Sequence, residues 1–175
     1  MEQQAAAARP DGEVAALTQL GGKYMTFQLA REVYGLEILA VREIIGLMEI
    51  TRVPRAPAHF RGVINLRGRV IPVVDLRAKF GMEPVEATEQ TVIIVVQCQV
   101  DGRALTLGLL VDLVLEVLTI EGSQIEPPPD LGARSIEGFI RGVGKTAHGV
   151  AFLLDTARIL SGQDARAPGA AAPQA

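Results

Sequence analysis

Residues 91–111 read TVIIVVQCQVDGRALTLGLLV, and the period of the first ten decides the class of fold. Val92, Ile94, Val96, Cys98 and Val100 recur at every second position, while Thr91, Gln97 and Gln99 take the other face. A period of two sends alternate side chains to opposite sides of an extended chain, so this stretch is a strand. Asp101-Gly102 follows, a dipeptide suited to a two-residue hairpin turn in which both positions take positive φ. ALTLGLLV returns as the partner strand.

The same pattern extends outward to YMTFQLA (24–30), REVYG (31–35) and LEI (36–38). Short β-branched runs recur at intervals of roughly ten residues, which predicts small barrels or a sandwich rather than a parallel sheet with helical crossovers. Helix is scarce. The best candidate is LDTARILSG (154–162), with Asp155 placed to cap its start and Gly162 its end. Both ends of the chain, MEQQAAAARPDGEVAALTQLGG and QDARAPGAAAPQA, are rich in Ala, Gly, Pro and Gln and poor in large apolar residues. Such composition cannot bury enough surface to offset the entropy of ordering. The expectation is a disordered N-terminal extension over 1–22, a folded domain over 23–162 and a disordered tail over 163–175.

Composition narrows the functional classes. With 17 Lys and Arg against 20 Asp and Glu, the 175-residue chain has a formal charge of -3, which offers no global attraction to nucleic acid or anionic lipid. Five Phe, two Tyr and no Trp leave little aromatic surface for stacking bases. One cysteine excludes an internal disulfide framework and a Cys-rich zinc site. Met1 to Gly22 lacks the basic start and apolar segment of a signal peptide, and apolar runs such as VIIVV (92–96) fall far short of the ~20 residues of a membrane helix. A cytoplasmic protein that meets its partners through local patches is expected.

The chain also resembles itself. Gly35, Ile38, Val41, Glu43, Ile44 and Pro54 align at an offset of 73 with Gly108, Val111, Val114, Glu116, Val117 and Pro127. Gly62, Ile64 and Gly68 then match Gly138, Ile140 and Gly144 at an offset of 76, and Asp75 matches Asp155 at 80. One reading is coincidence in a chain rich in Gly, Val and Leu. The other is two related small barrels joined near EGSQIEPPPD (121–130), with a groove between them.

Residues for catalysis are wanting. His59 and His148 lie in different halves, no His, Cys or carboxylate cluster has metal-ligand spacing, and Cys98 shares the apolar face of its strand. GVINLRG is not followed by the Gly-Lys-Ser/Thr or helix start of a phosphate loop. What remains is GVINLRGRVIPVVDL (62–76), in which Leu66-Arg67-Gly68 turns a hairpin. Arg67 reads either as a solvated turn residue or as an interface anchor, because a guanidinium fork makes directed hydrogen bonds while its stem packs on apolar surface. Pro72 lacks an N–H, which places its strand near a barrel edge.

The segment EITRVPRAPAHFRGVINLRGRVIPVVDLRAKFG (49–81) resembles the central signature of the CheW family of bacterial chemotaxis coupling proteins, a V-P-x-x-P segment before G-V-x-N-L-R-G and a P-V-x-D-L strand. VREIIG (41–46), GLLVDLVLEVL (108–118), IRGVGK (140–145) and FLLDTARIL (152–160) extend the similarity over about residues 23 to 161. The resemblance implies an all-β fold of two intertwined five-stranded SH3-like barrels with short helices, no catalytic activity and no cofactor. It implies an adaptor between the cytoplasmic tip of methyl-accepting chemoreceptors and the regulatory domain of the histidine kinase CheA, within membrane-associated arrays and without direct membrane insertion. By similarity, Val41, Glu43, Gly62, Arg67 and Gly108 fall on the receptor-coupling surface. The resemblance sets LAVREII beside the NLRG turn, which predicts a Glu43–Arg67 ion pair on the first barrel. CheV and CheA carry the same fold, but a chain ending at 175 without phosphoacceptor pocket or kinase motifs favours the stand-alone coupler. The alternative from another class is a small-ligand-binding β-barrel sensor.

Overall fold

The computed structural model describes residues 16–128 and 138–159. Its strands are β1 (Gly22–Leu29), β2 (Glu32–Glu37), β3 (Val41–Gly46), β4 (Phe60–Leu66), β5 (Arg69–Asp75), β6 (Val92–Val100), β7 (Arg103–Val111), β8 (Leu113–Ile120), β9 (Ile125–Glu126), β10 (Ile140–Thr146) and β11 (Gly149–Leu154). The hairpin expected over residues 92–111 forms. Val100 pairs with Arg103, leaving Asp101 at φ 52° and Gly102 at φ 76° in the turn. The residues 93–96 are buried on both faces rather than one, because β6 lies between β3 and β7 and separates two apolar clusters.

The strands form two curled sheets, β8-β1-β2-β11-β10-β9 (barrel A) and β3-β6-β7-β5-β4 (barrel B). Exchanging β1, β2, β3, β4 and β5 with β6, β7, β8, β10 and β11 converts one order into the other, apart from the two-residue β9 at the edge of barrel A. The internal repeat is therefore real, and each barrel takes strands from both halves of the chain. Gly35 pairs with Leu153 in the parallel contact of barrel A, and Gly108 with Val73 in that of barrel B. The expected junction at 121–130 is accordingly not a boundary between barrels: Gly122–Gln124 forms one 3-10 turn and leads into β9, which pairs with β10. The offset of 76 is also corrected. Phe60 pairs with Val74 and Gly62 with Val73, while Ile140 pairs with Leu154 and Gly142 with Leu153, so the offset is 80 throughout both hairpins.

Among the described residues three apolar clusters hold the fold. Ile64, Ile71, Val73, Ile93 and Val95 fill barrel B, and Tyr24, Ile120, Ile125, Ala151 and Leu153 fill barrel A. The largest cluster lies between them and includes Phe27, Tyr34, Phe60 and Phe80. Tyr34 sits against Phe27 (5.8 Å between ring centroids), Phe80 (5.6 Å) and Phe152 (5.6 Å), so the few aromatic residues are spent on joining the barrels rather than on the surface. The joint also has a polar clasp. Arg77 Nε donates to Asp112 Oδ1 (2.9 Å) and Nη2 to Oδ2 (2.7 Å), while the Ala30 N–H from the β1–β2 turn donates to the same carboxylate (2.9 Å).

Two short helices, α1 (Leu76–Lys79) and α2 (Thr156–Ile159), follow β5 and β11 at equivalent positions. Asp75 accepts from Ala78 N (3.3 Å), and Asp155 from Arg158 N (3.2 Å), as capping carboxylates. Only the second helix is foreseen in the sequence; the expected stop at Gly162 and the tail over 163–175 lie outside the described residues. Pro72 is not on an edge strand, since β5 lies between β4 and β7. Pro72 pairs with Val63, and the pairing with β7 begins only at Val73, so the missing N–H falls just before two-sided pairing starts. The expected extension over 1–22 is corrected for its last residues. Leu17 and Leu20 pack against the barrel A cluster, and the Tyr24 hydroxyl donates to the Leu20 carbonyl (2.5 Å). Gly122 approaches this segment so closely that a Cβ there would lie 2.3 Å from the Thr18 carbonyl oxygen.

Candidate protein-binding site

The β4–β5 hairpin turns through Arg67 at φ 53° and Gly68 at φ 86°, with Leu66 paired to Arg69. Both turn residues occupy the left-handed region, which Gly or Asn fills at less cost than Arg. Asn65 compensates locally: its Oδ1 accepts from the Gly68 N–H (2.9 Å). The turn carries Arg67 to β3, the opposite edge of the same sheet. There Nη1 donates to Glu43 Oε2 and Nη2 to Glu43 Oε1, both at 2.7 Å, a parallel bidentate pair. Arg67 remains 71% exposed and Glu43 30%. The hydrogen bonds from Arg67 hold the Glu43 carboxyl below its ordinary pKa, and those to Glu43 raise that of Arg67, so both stay charged across the physiological range.

Barrel B closes along the same seam. After β3, Thr51 forms an isolated antiparallel bridge with Val63 of β4, with reciprocal N–H···O bonds of 2.8 Å. Gly62 makes this possible. It adopts φ +141°, and a Cβ there would lie 2.1 Å from the Thr51 carbonyl oxygen. Barrel A repeats the closure, with β9 against β10 and Gly142 in the place of Gly62. It does not repeat the ion pair. By the offsets of 73 and 80, Glu43 and Arg67 correspond to Glu116 and Ala147, which cannot pair.

The structure thus brings Glu43 and Arg67 together, as the family resemblance implies, and sets Val41 at the start of the same strand. Val41 is half-buried and packs on the cluster between the barrels, with a register shift separating it from Glu43. Gly62 and Gly108 are elsewhere and inside. Gly108 is buried on β7, where a Cβ would lie 2.7 Å from Ile93 Cγ2. Their side-chain-free positions serve packing. Sequence reasoning missed the apolar residues that are exposed on barrel B, Ile44 and Leu47 along the β3 edge and Val70 on β5. For Ile44 the signal was present in VREIIG: on a strand, one of two consecutive isoleucines must point outward.

The remaining sequence candidates have structural settings. Cys98 packs against the shared cluster, and burial, with the nearby Asp155 charge, pushes its thiol up to about 11, away from reactivity. Apolar side chains fill both barrels among the described residues, and nothing there supports the sensor alternative. Among the described residues no helix is long and apolar enough to cross a membrane.

Comparison with known proteins agrees with the fold. A family model described as the CheW-like domain matches residues 23–164. The chain is 34% identical over 145 residues to chemotaxis protein CheW of Klebsiella aerogenes, covering 83% of this chain and 85% of that protein. It is 42% identical over 127 residues to chemotaxis protein CheW of Rhizobium meliloti, covering 73% and 79%. Among solved structures, the scaffolding protein TtCheW from Thermoanaerobacter tengcongensis superposes with a TM-score of 0.72 at 34% identity, covering 82% of this chain and 95% of that one.

Proposed function

The chain belongs to the CheW-like family, and we propose that it is a non-catalytic chemotaxis adaptor that couples chemoreceptors to the histidine kinase CheA through the seam of barrel B. The observation that carries the choice of surface is the bidentate Glu43–Arg67 pair, present on one barrel and absent from its counterpart. Two barrels built on one plan have equal need of closure, and barrel A closes with no bidentate pair at the equivalent position, β9 and β10 being joined, beyond their backbone pairing, by a single Lys145–Glu126 contact of 3.0 Å among the described residues. The pair therefore has a use beyond closure. An arginine held at φ 53° in a turn and fixed by both ends of its fork is preorganised, so a partner meets it with little loss of rotamer freedom. Val70, two residues past the turn on β5, supplies exposed apolar surface, and apolar contact around an oriented guanidinium is the usual composition of an interface hot spot. Val41 contributes from the margin of the core, while Gly62 and Gly108 act by keeping the barrel closed. The receptor tip and the kinase regulatory domain are the partners, met in the cytoplasm at receptor arrays that the chain reaches through them rather than by entering the bilayer.

The test is a charge exchange. Arg67→Glu is expected to leave the melting curve near wild type and to weaken binding to a receptor cytoplasmic fragment or to the CheA regulatory domain by roughly tenfold or more. Combining it with Glu43→Arg recovers part of the loss if the pair orients the site, and none if Arg67 alone touches the partner. Unchanged binding of both partners by the folded Arg67→Glu protein would overturn the assignment.

A further inference from the structure

At the other end of β4 from Arg67, the loop between Thr51 and Phe60 encloses a cleft of about 750 Å³. Its floor is apolar: Ile50, Val53, Ala56 and Phe60, of which Val53 and Ala56 pack on the core between the barrels. Its rim carries Arg52, Arg55 and Arg61. Among the described residues Arg52 and Arg55 have no acidic partner. Arg61 is held only by a 3.4 Å contact with Asp75, whose carboxylate also caps α1. Three arginines lining one cleft, two of them without an acidic partner among the described residues, stand out on a chain whose net charge is -3. Arg55 holds φ 64°, a left-handed conformation that carries a backbone cost.

We propose that this cleft is a second docking surface, distinct from the Glu43–Arg67 seam, and that it takes an extended acidic segment of a protein partner. The floor would receive one or two apolar side chains, and the rim would fork the carboxylates that flank them. A nucleic acid fits less well: three cations engage few phosphates, and the only aromatic residue lining the cleft, Phe60, is buried. Roughly 20 Å of strand separates Arg61 from the Arg67 turn, so the two surfaces can be occupied together. That is the geometry a bridging protein needs.

A fluorescein-labelled octapeptide alternating Glu and Leu is the probe, titrated against the full chain by fluorescence anisotropy at low ionic strength. Binding is expected, and Arg52→Glu combined with Arg55→Glu should weaken it at least about tenfold while leaving the melting curve unchanged. Arg31→Glu with Arg103→Glu, the same charge change at two exposed positions away from the cleft, should alter it by less than about twofold. A peptide with Gln for Glu should bind more weakly, and Arg67→Glu should bind the original peptide as wild type does, which separates this surface from the seam. Equal loss in the two double variants would mean that net charge alone attracts the peptide, and would overturn the proposal. So would failure of the wild-type chain to bind at ~1 mM peptide.

Discussion

Replacing Gly62 by Ala should open barrel B. A Cβ at this position would lie 2.1 Å from the Thr51 carbonyl oxygen and 2.9 Å from Ile50 Cγ2, so the Thr51 segment must retreat by about 1 Å to reach an ordinary contact distance. Retreat lengthens both 2.8 Å hydrogen bonds of the Thr51–Val63 bridge beyond useful range, at a cost of about 1 kcal/mol each. The φ of +141°, which alanine rarely adopts, adds ~1 to 3 kcal/mol. The total is about 3 to 5 kcal/mol, a large part of the ~5 to 15 kcal/mol that holds a typical domain together. Urea unfolding followed by circular dichroism measures it, and Tm should fall by roughly 10 °C. Gly46→Ala is the control, because a Cβ there meets nothing within 4 Å. If Gly62→Ala unfolds within about 0.5 kcal/mol of wild type, the bridge does not close the barrel. If it stays fully stable yet loses partner binding, Gly62 is a contact residue and its assignment to packing is wrong.

Leu20→Ala should cost about 1 to 2 kcal/mol because its side chain packs under barrel A, and Tyr24→Phe about 1 kcal/mol for the lost bond to Leu20. No effect of either on the urea midpoint would return residues 16–21 to the disordered extension. For Asp112, burial raises the pKa, but the Arg77 hydrogen bonds, the Ala30 N–H and the Arg77 charge outweigh it and leave the carboxyl below its ordinary value. Its contribution to stability is then complete above the unfolded carboxylate range near ~4 and is lost as pH falls through the lower folded value. Asp112→Asn should flatten that acid limb in urea titrations below pH ~4, and an unchanged limb would mean that the clasp contributes nothing. Burial, and after it the Glu32 charge, pushes the Tyr34 hydroxyl up to about 12. Its share of stability is full below the unfolded value near ~10 and fades as pH rises through about 12, an alkaline loss that Tyr34→Phe should remove.

How far the chain explains itself depends on the range of the interactions. Strand identity was legible because a period of two and Asp101-Gly102 are local, and local geometry forces them whatever surrounds the segment. The Asp155 cap was legible for the same reason. The repeat was legible as spacing, yet its register slipped to 76 in one stretch, because matching glycines are weaker guides than matching ladders. The Glu43–Arg67 pair was anticipated only through family resemblance; no pattern in the sequence links residues 24 apart on different strands. Which barrel each strand joins was decided by tertiary structure alone. A strand is satisfied by any partner that pairs its backbone and covers its face, so β1 and β2 could have closed with β3 of their own half, and instead take β8, β10 and β11. The role of Gly62 followed the same rule: a glycine before a valine says only that a side chain is absent, while the Thr51 carbonyl arriving from 11 residues upstream gives the reason. The sequence by itself determined what each segment is, since that depends on neighbours a few residues away. Only the tertiary structure decided what each segment meets, since pairing across the chain depends on the packing of all the strands at once.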